Sequence, residues 1–260
     1  MKFTLKSLRG FLRRKKLESK LEQPPLIMHT EVPDTAVTVS FSVHTWLEYH
    51  HRAQGSYIGE PDMVAWLKSK LRAGDIFWDI GSNVGAYSIL AAKLCPGAKV
   101  YAFEPFIPTF SHLWENIILN DVSKQVFPVC VGLSDETKPN ALAVSDSRAG
   151  SAEHQVGQTG GKLQQGILAV KGDDLQKLLG LPSPTLLKLD IDGLEVNAVK
   201  GLQGILQNPG LRSAMIEVDQ KKSEQAVQKL FEAAGFRRVE NPLTKPTNGV
   251  LNACFERDMG

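Results

Sequence analysis

Cysteine is scarce: 260 residues hold only Cys95, Cys130 and Cys254, far apart and at no metal-ligand spacing. That argues against a disulfide framework and a zinc-ribbon site, and the three thiols read as reduced core or near-core residues of a cytoplasmic protein. No apolar run approaches the length of a membrane-spanning helix, and the N-terminus lacks the uninterrupted apolar stretch of a secretory leader. An intracellular location is therefore expected. A clustered basic surface is also missing from the body. Residues 1–20 carry eight Lys or Arg against one acid, Glu18, so the overall charge of +2 leaves 22 basic and 27 acidic residues, a net of −5, in residues 21–260. A mildly acidic body disfavours DNA or RNA as a substrate. Internal repeats and long low-complexity tracts are absent as well.

What is present is enough apolar material, 42% of the chain, for one α/β domain with extensions. Three parts are expected. Residues 1–25 form a basic segment that, if helical, gathers Leu5, Leu8, Phe11 and Leu12 on one face and Lys2, Lys6, Arg9 and Arg13 on another. Such a segment suits peripheral contact with an anionic membrane, although a solvated or self-packed terminal helix is the plainer reading. Pro24 and Pro25 end it. Residues 26–60 form an extension or acceptor-side lid, with a strand over Val37–Val43 and a short helix starting at Trp46. Residues 61–260 form the main domain, with an insertion at about 136–172.

From Pro61 onward helices and strands alternate. Strands are predicted at 76–80, 99–103, 126–131, 185–190 and 213–218, with helices at about 62–71, 86–94 and 108–120, from Leu194, and at 223–234. That order builds a parallel sheet with right-handed crossovers. Asp173 or Asp174 is expected to cap a short helix ending before Pro182. Ala141–Ser145 and Gly166–Lys171 flank a polar stretch and suggest a hairpin inserted between the third and fourth core strands, with a mobile tip. Residues 237–240 and 250–255 can pair as a terminal hairpin. His44, His50 and His51 invite a metal reading, but no acid-rich motif lies near them, so they are taken as surface or cap histidines and no metal ligand is assigned.

The chemistry concentrates in Asp79-Ile-Gly-Ser-Asn-Val-Gly85, followed by Val100-Tyr-Ala-Phe-Glu-Pro105. A strand runs into a glycine turn and then a helix, whose first N–H groups are free for a ligand. The next strand ends at Glu104, whose carboxylate can accept from both hydroxyls of a ribose. A nicotinamide dinucleotide site wants glycine at the middle position of Gly-x-Gly-x-x-Gly, and here that position is Asn83. Asp79 is awkward beside a pyrophosphate and useful beside an amino acid's ammonium. Together these favour S-adenosylmethionine, with a nicotinamide-dependent oxidoreductase and a non-catalytic cofactor-binding protein as alternatives.

These segments, with Val131–Asp135, Leu187-Lys-Leu-Asp-Ile-Asp-Gly-Leu-Glu195, Lys200-Gly201 and Ile216-Glu-Val218, resemble the FkbM family of S-adenosylmethionine-dependent methyltransferases. One departure is that the family's usual Asp-Val-Glu-Gly stands here as Asp190-Ile-Asp-Gly193. The resemblance implies a Rossmann-like class I fold: a mostly parallel seven-stranded sheet, helices on both faces and a C-terminal antiparallel hairpin. It also implies O-methylation of a hydroxyl on a sugar or secondary metabolite.

Cofactor-binding candidates are Asp79, Gly81, Asn83, Gly85, Glu104, Asp135 and Asp190. Asp79 is assigned to the methionine end, and Asp135 to adenine or, equally, to a turn. Lys188, Asp190, Asp192 and Glu195 form a dense charged cluster at an apolar strand, where an unpaired charge is costly, so they are expected to pair with one another or with a ligand. Asp190 is the first candidate for the base, and Lys188, Glu195 and Glu217 complete the catalytic set. A divalent cation held by Asp190, Asp192, Glu195 and Glu217 is open but not favoured.

Overall fold

In the computed structural model the alternation of elements resolves into a seven-stranded sheet. The structure describes residues 24–257 except 145, 151–154 and 157–162, so the expected amphipathic segment before Leu21 and much of the expected insertion tip lie outside the described residues. Strands β1 (Leu26–Glu31) and β2 (Thr38–Val43) form an antiparallel hairpin. A π-helical stretch, Glu48–Ala53, and a single turn, Ser56–Gly59, lead to α1 (Pro61–Lys70). Then follow β3 (Ile76–Ile80), α2 (Ala86–Leu94), β4 (Lys99–Phe103), α3 (Ile107–Leu119) and β5 (Val126–Val129).

The insertion holds β6 (Gly132–Leu133), β7 (Lys138–Val144), β8 (Gln155–Val156) and β9 (Leu163–Val170). The chain returns through α4 (Gly172–Leu179), β10 (Leu186–Leu189), α5 (Glu195–Lys200), α6 (Gln203–Gln207), β11 (Ser213–Asp219), α7 (Glu224–Ala233), β12 (Phe236–Val239) and β13 (Val250–Arg257).

The main sheet runs β12-β13-β11-β10-β3-β4-β5. The β11–β10–β3–β4–β5 pairings are parallel, whereas β13 pairs antiparallel with both β11 and β12. Strands buried on both faces need apolar residues on both, and β10 (Leu-Leu-Lys-Leu) and β3 (Ile-Phe-Trp-Asp-Ile) supply them except at Lys188 and Asp79. Successive side chains feed opposite cores. Phe77 and Leu186 pack with α1, α2 and α3, while Trp78, Ile80, Leu187 and Leu189 pack with α5, α6 and α7. Helix α2 lies within the first core with Tyr87, Ile89, Leu90, Ala91 and Ala92 all buried.

Several expectations need correction. The hairpin's first strand, β1, has no clear alternation and was not anticipated. The third core strand stops at Val129, because Gly132 and Leu133 leave it to pair with Ala169 and Val170 in a separate four-stranded sheet with the inserted hairpin. Neither Asp173 nor Asp174 caps α4, where Lys171 occupies the cap position. Asp173 instead accepts from the N–H groups of Gly204 (2.7 Å) and Ile205 (2.9 Å) and so caps α6. Cys130 is exposed rather than near-core. Among the described residues, no helix is long and apolar enough to cross a membrane.

Candidate active site

The chain leaves β3 toward β4 and β5 on one side and returns through β10 and β11 on the other, so the order of strands reverses beside β3. Crevices at such reversals, outside the carboxyl ends of the strands, are where α/β sheets bind ligands. Gly81 lies directly after β3 with φ +76°, and an added Cβ would meet the Asp190 carbonyl oxygen at 1.8 Å. Only glycine allows the end of β10 to come this close. The N–H groups of Gly81 and Ser82 both donate to the Phe103 carbonyl at 3.0 Å, and Asp190 N–H donates to Ile80 O at 3.0 Å. The ends of three strands are thereby locked around one cavity of about 190 Å³.

Its polar lining is Arg52, Glu60, Asn83, Glu104, Asp190, Asp192 and Glu217, and its apolar wall includes Phe103, Val131, Leu133, Leu142 and Leu194. Glu104 receives the N–H groups of Asn83 (3.0 Å) and Phe106 (2.8 Å). Burial outweighs those bonds and lifts its pKa to about 7.

Lys188 is buried behind the glycine turn, facing Asp79 across the β3–β10 register. Its Nζ lies 3.2 Å from Asp79 Oδ1, 3.2 Å from Asp190 Oδ2 and 3.2 Å from the Gly81 carbonyl, to which it donates. Burial works against its charge, but Asp190, Asp79 and Glu60 outweigh it and hold the ammonium above its usual pKa. Asp79 also accepts from Ser88 Oγ at 2.5 Å. A buried ammonium held by two carboxylates is the pairing that makes such a charge tolerable.

The same ammonium bears on the cavity. Burial pushes Asp190 up, but Lys188 overrides it and keeps Asp190 below the ordinary carboxylate range. Its negative charge, and then burial, push Glu217 up to about 9. Glu60, which accepts from the Tyr87 hydroxyl, is raised by burial and by Asp190. The ionised Asp190 thus sits beside Glu217, which keeps its proton up to about pH 9.

Residues 79–238 match the model of the methyltransferase FkbM domain. The chain belongs to the FkbM methyltransferase family. Similar proteins include hexuronic acid methyltransferase AglP of Haloferax volcanii, 29% identical over 74% of this chain and 76% of that protein. Another is 31-O-demethyl-FK506 methyltransferase FkbM of Streptomyces tacrolimicus, 26% identical over 57% of this chain and 67% of the relative. In fold, the chain resembles a SAM-dependent methyltransferase from Agrobacterium tumefaciens, with a TM-score of 0.53 at 10% identity, covering 90% of this chain and 71% of that one. The protein is an S-adenosylmethionine-dependent methyltransferase with a Rossmann-like class I fold, which sets aside the oxidoreductase reading.

Within this FkbM-family chain the cavity gathers Gly81, Asn83, Glu104, Asp190 and Glu217, together with Asp192. It does not gather the other sequence candidates. Asp79 and Lys188 stand behind the turn, where Lys188 bridges Asp79 and Asp190. Gly85, at φ +90°, heads α2, where a Cβ would meet Leu113 Cδ1 at 2.5 Å, and it lies outside the cavity lining. Asp135 turns to Asn197 Nδ2 (2.9 Å). Glu195 accepts from Gly193 N–H (2.7 Å) and tightens the turn after β10. Arg52 and Glu60 were missed. Both come from the segment before α1, and neither carries a motif. The signal that was available was only their place in a segment expected to cover the acceptor side.

Proposed function

We propose that this enzyme methylates a hydroxyl of a sugar or secondary metabolite, with Asp190 receiving the hydroxyl proton. The observation that carries the reading is the pairing of Asp190 with Glu217 at the cavity: a carboxylate held ionised by a buried lysine beside a carboxyl that stays protonated up to about pH 9.

The donor set suits S-adenosylmethionine. Glu104, at the end of β4, faces the cavity where a ribose diol needs an acceptor, and the apolar wall suits a flat purine. When bound, S-adenosylmethionine supplies a methyl carbon activated by a positively charged sulfur. The protein's task is to align an acceptor oxygen with that carbon and to remove its proton as the new bond forms. Asp190, with its side chain 30% exposed, is positioned to accept that proton. Lys188 fixes its orientation, and Glu217 can steady its charge by donating a hydrogen bond.

The similarity to a hexuronic acid methyltransferase adds an acidic sugar to the acceptors worth trying. Arg52, the one basic residue of the lining, suits its carboxylate. The test is incubation with methyl-labelled S-adenosylmethionine and a panel of uronic-acid and neutral glycosides and hydroxylated metabolites, read by mass spectrometry before and after mild alkali. A methyl ether survives alkali and supports the proposal. A product lost to alkali is a methyl ester; it would move the acceptor atom to a carboxylate and remove the need for a base.

A further inference from the structure

We propose that His44, His112 and Glu115 form a binding site for one divalent transition-metal ion of the zinc type, separate from the methyl-transfer cavity. Each of the three offers a ligand atom, and these atoms lie within 4.8 Å of one another, which holds for no other group of three His, Cys, Asp or Glu side chains among the described residues. The carboxylates of the cavity are not gathered in this way. Two imidazoles and one carboxylate make a donor set that suits Zn²⁺, and three protein ligands leave a fourth position for water or a neighbouring hydroxyl.

Such a hydroxyl is in place. Ser42 Oγ lies 3.1 Å from His44 Nε2 and donates to Glu115 Oε2 at 3.1 Å, while His44 Nε2 and Glu115 Oε2 are 2.7 Å apart. His112 and Glu115 are three residues apart on α3 and so share one face of the helix.

Two further features fit a ligand site better than a chance ion pair. The strand and helix that carry the ligands are fixed to each other: Ser42 N–H donates to Asn116 Oδ1 at 2.7 Å, and Asn120 Nδ2 donates to Ser40 O at 2.7 Å. His112 is also backed by a buried carboxylate. Its Nδ1 lies 2.5 Å from Glu48 Oε1, and the Glu48 side chain is 3% exposed. An Nδ1–H donated to Glu48 would leave Nε2 as the ligand atom and raise its basicity, an arrangement common behind metal-binding histidines. Glu48 also receives the N–H groups of His44 (3.0 Å) and Thr45 (2.9 Å), where the π-helical stretch bearing Arg52 begins. A bound ion would therefore brace β2, α3 and this segment together.

The test is calorimetric titration of the tag-free full chain, stripped with chelator and dialysed, with zinc chloride. The wild type is expected to take up one equivalent. His44→Ala and Glu115→Gln, whose side chains are 31% and 42% exposed in the wild type and can change without disturbing the core, should each bind at least about tenfold more weakly. Asp190→Asn should bind zinc as the wild type does. The proposal is overturned if the wild type takes up no zinc, if both folded variants bind it unchanged, or if Asp190→Asn abolishes uptake.

Discussion

Under the proposed function, Glu104 serves its own loop and the ribose with the same two oxygens. Each accepts one backbone N–H, from Asn83 or Phe106, and keeps a lone pair for the cavity. Glu104→Gln keeps the shape but removes the charge and puts an NH₂ where an acceptor is needed. We expect S-adenosylmethionine affinity to fall by ~1.5–3 kcal/mol, roughly tenfold to more than a hundredfold, in a variant that circular dichroism shows to be folded. Unchanged affinity by calorimetry would reject the ribose role.

Glu217 gives a prediction in pH. Its pKa rises from 4.5 to about 9 on folding, chiefly through Asp190. The folded state therefore holds this proton more tightly than the unfolded state. Its contribution to stability is fully present below 4.5 and is lost as pH rises toward about 9. Unfolding midpoints of the ligand-free enzyme should fall more steeply over that window than those of Glu217→Gln. Parallel profiles would show that Glu217 titrates normally.

The turns after β3 and β10 frame the cavity, and their glycines are not equivalent. Gly81 has both a positive φ and the Asp190 carbonyl in the way of any Cβ. Gly193 has φ +81° with nothing within 4 Å. Gly193→Ala should cost about 1–2 kcal/mol, the strain of a left-handed residue alone. Gly81→Ala should cost clearly more, because β10 must also move away from β3. Equal losses in denaturant titrations would mean that the close approach is unimportant.

At this scale the sequence was most legible. The five core strands, the helices between them and the terminal hairpin follow from apolar runs punctuated by glycine and proline, and each is a local pattern. The same holds for Gly81, Asn83 and Glu104, which sit in one strand-turn-helix-strand unit. What was not legible joins distant segments. The exit of Gly132 and Leu133 to a second sheet depends on a partner strand more than thirty residues away. Asp135 and Glu195 carry the expected charge but spend it on Asn197 and on the Gly193 turn.

For the whole molecule, the segment before α1 closes over the sheet rather than standing apart from it. Arg52 reaches the cavity while its Nε donates to the Gly150 carbonyl at 3.2 Å, linking this segment to the stretch between β7 and β8 of the insertion. That convergence of two segments on the carboxyl ends of the strands has no sequence signature, because neither long-range contact leaves a periodic trace. The same is true of His44, whose acidic partner arrives from α3, seventy-one residues later.

In the proposed mechanism Asp190 takes the acceptor's proton, held ionised by Lys188 beside a protonated Glu217. The most direct test is the single-turnover rate of methyl transfer in Asp190→Asn with an acceptor that the wild type methylates, measured beside its calorimetric affinity for S-adenosylmethionine. We predict a rate lower by ~10²–10⁴-fold with a much smaller loss of affinity. A folded Asp190→Asn enzyme that binds S-adenosylmethionine and transfers methyl at the parental rate would contradict it, and would leave the Lys188 cluster a structural one.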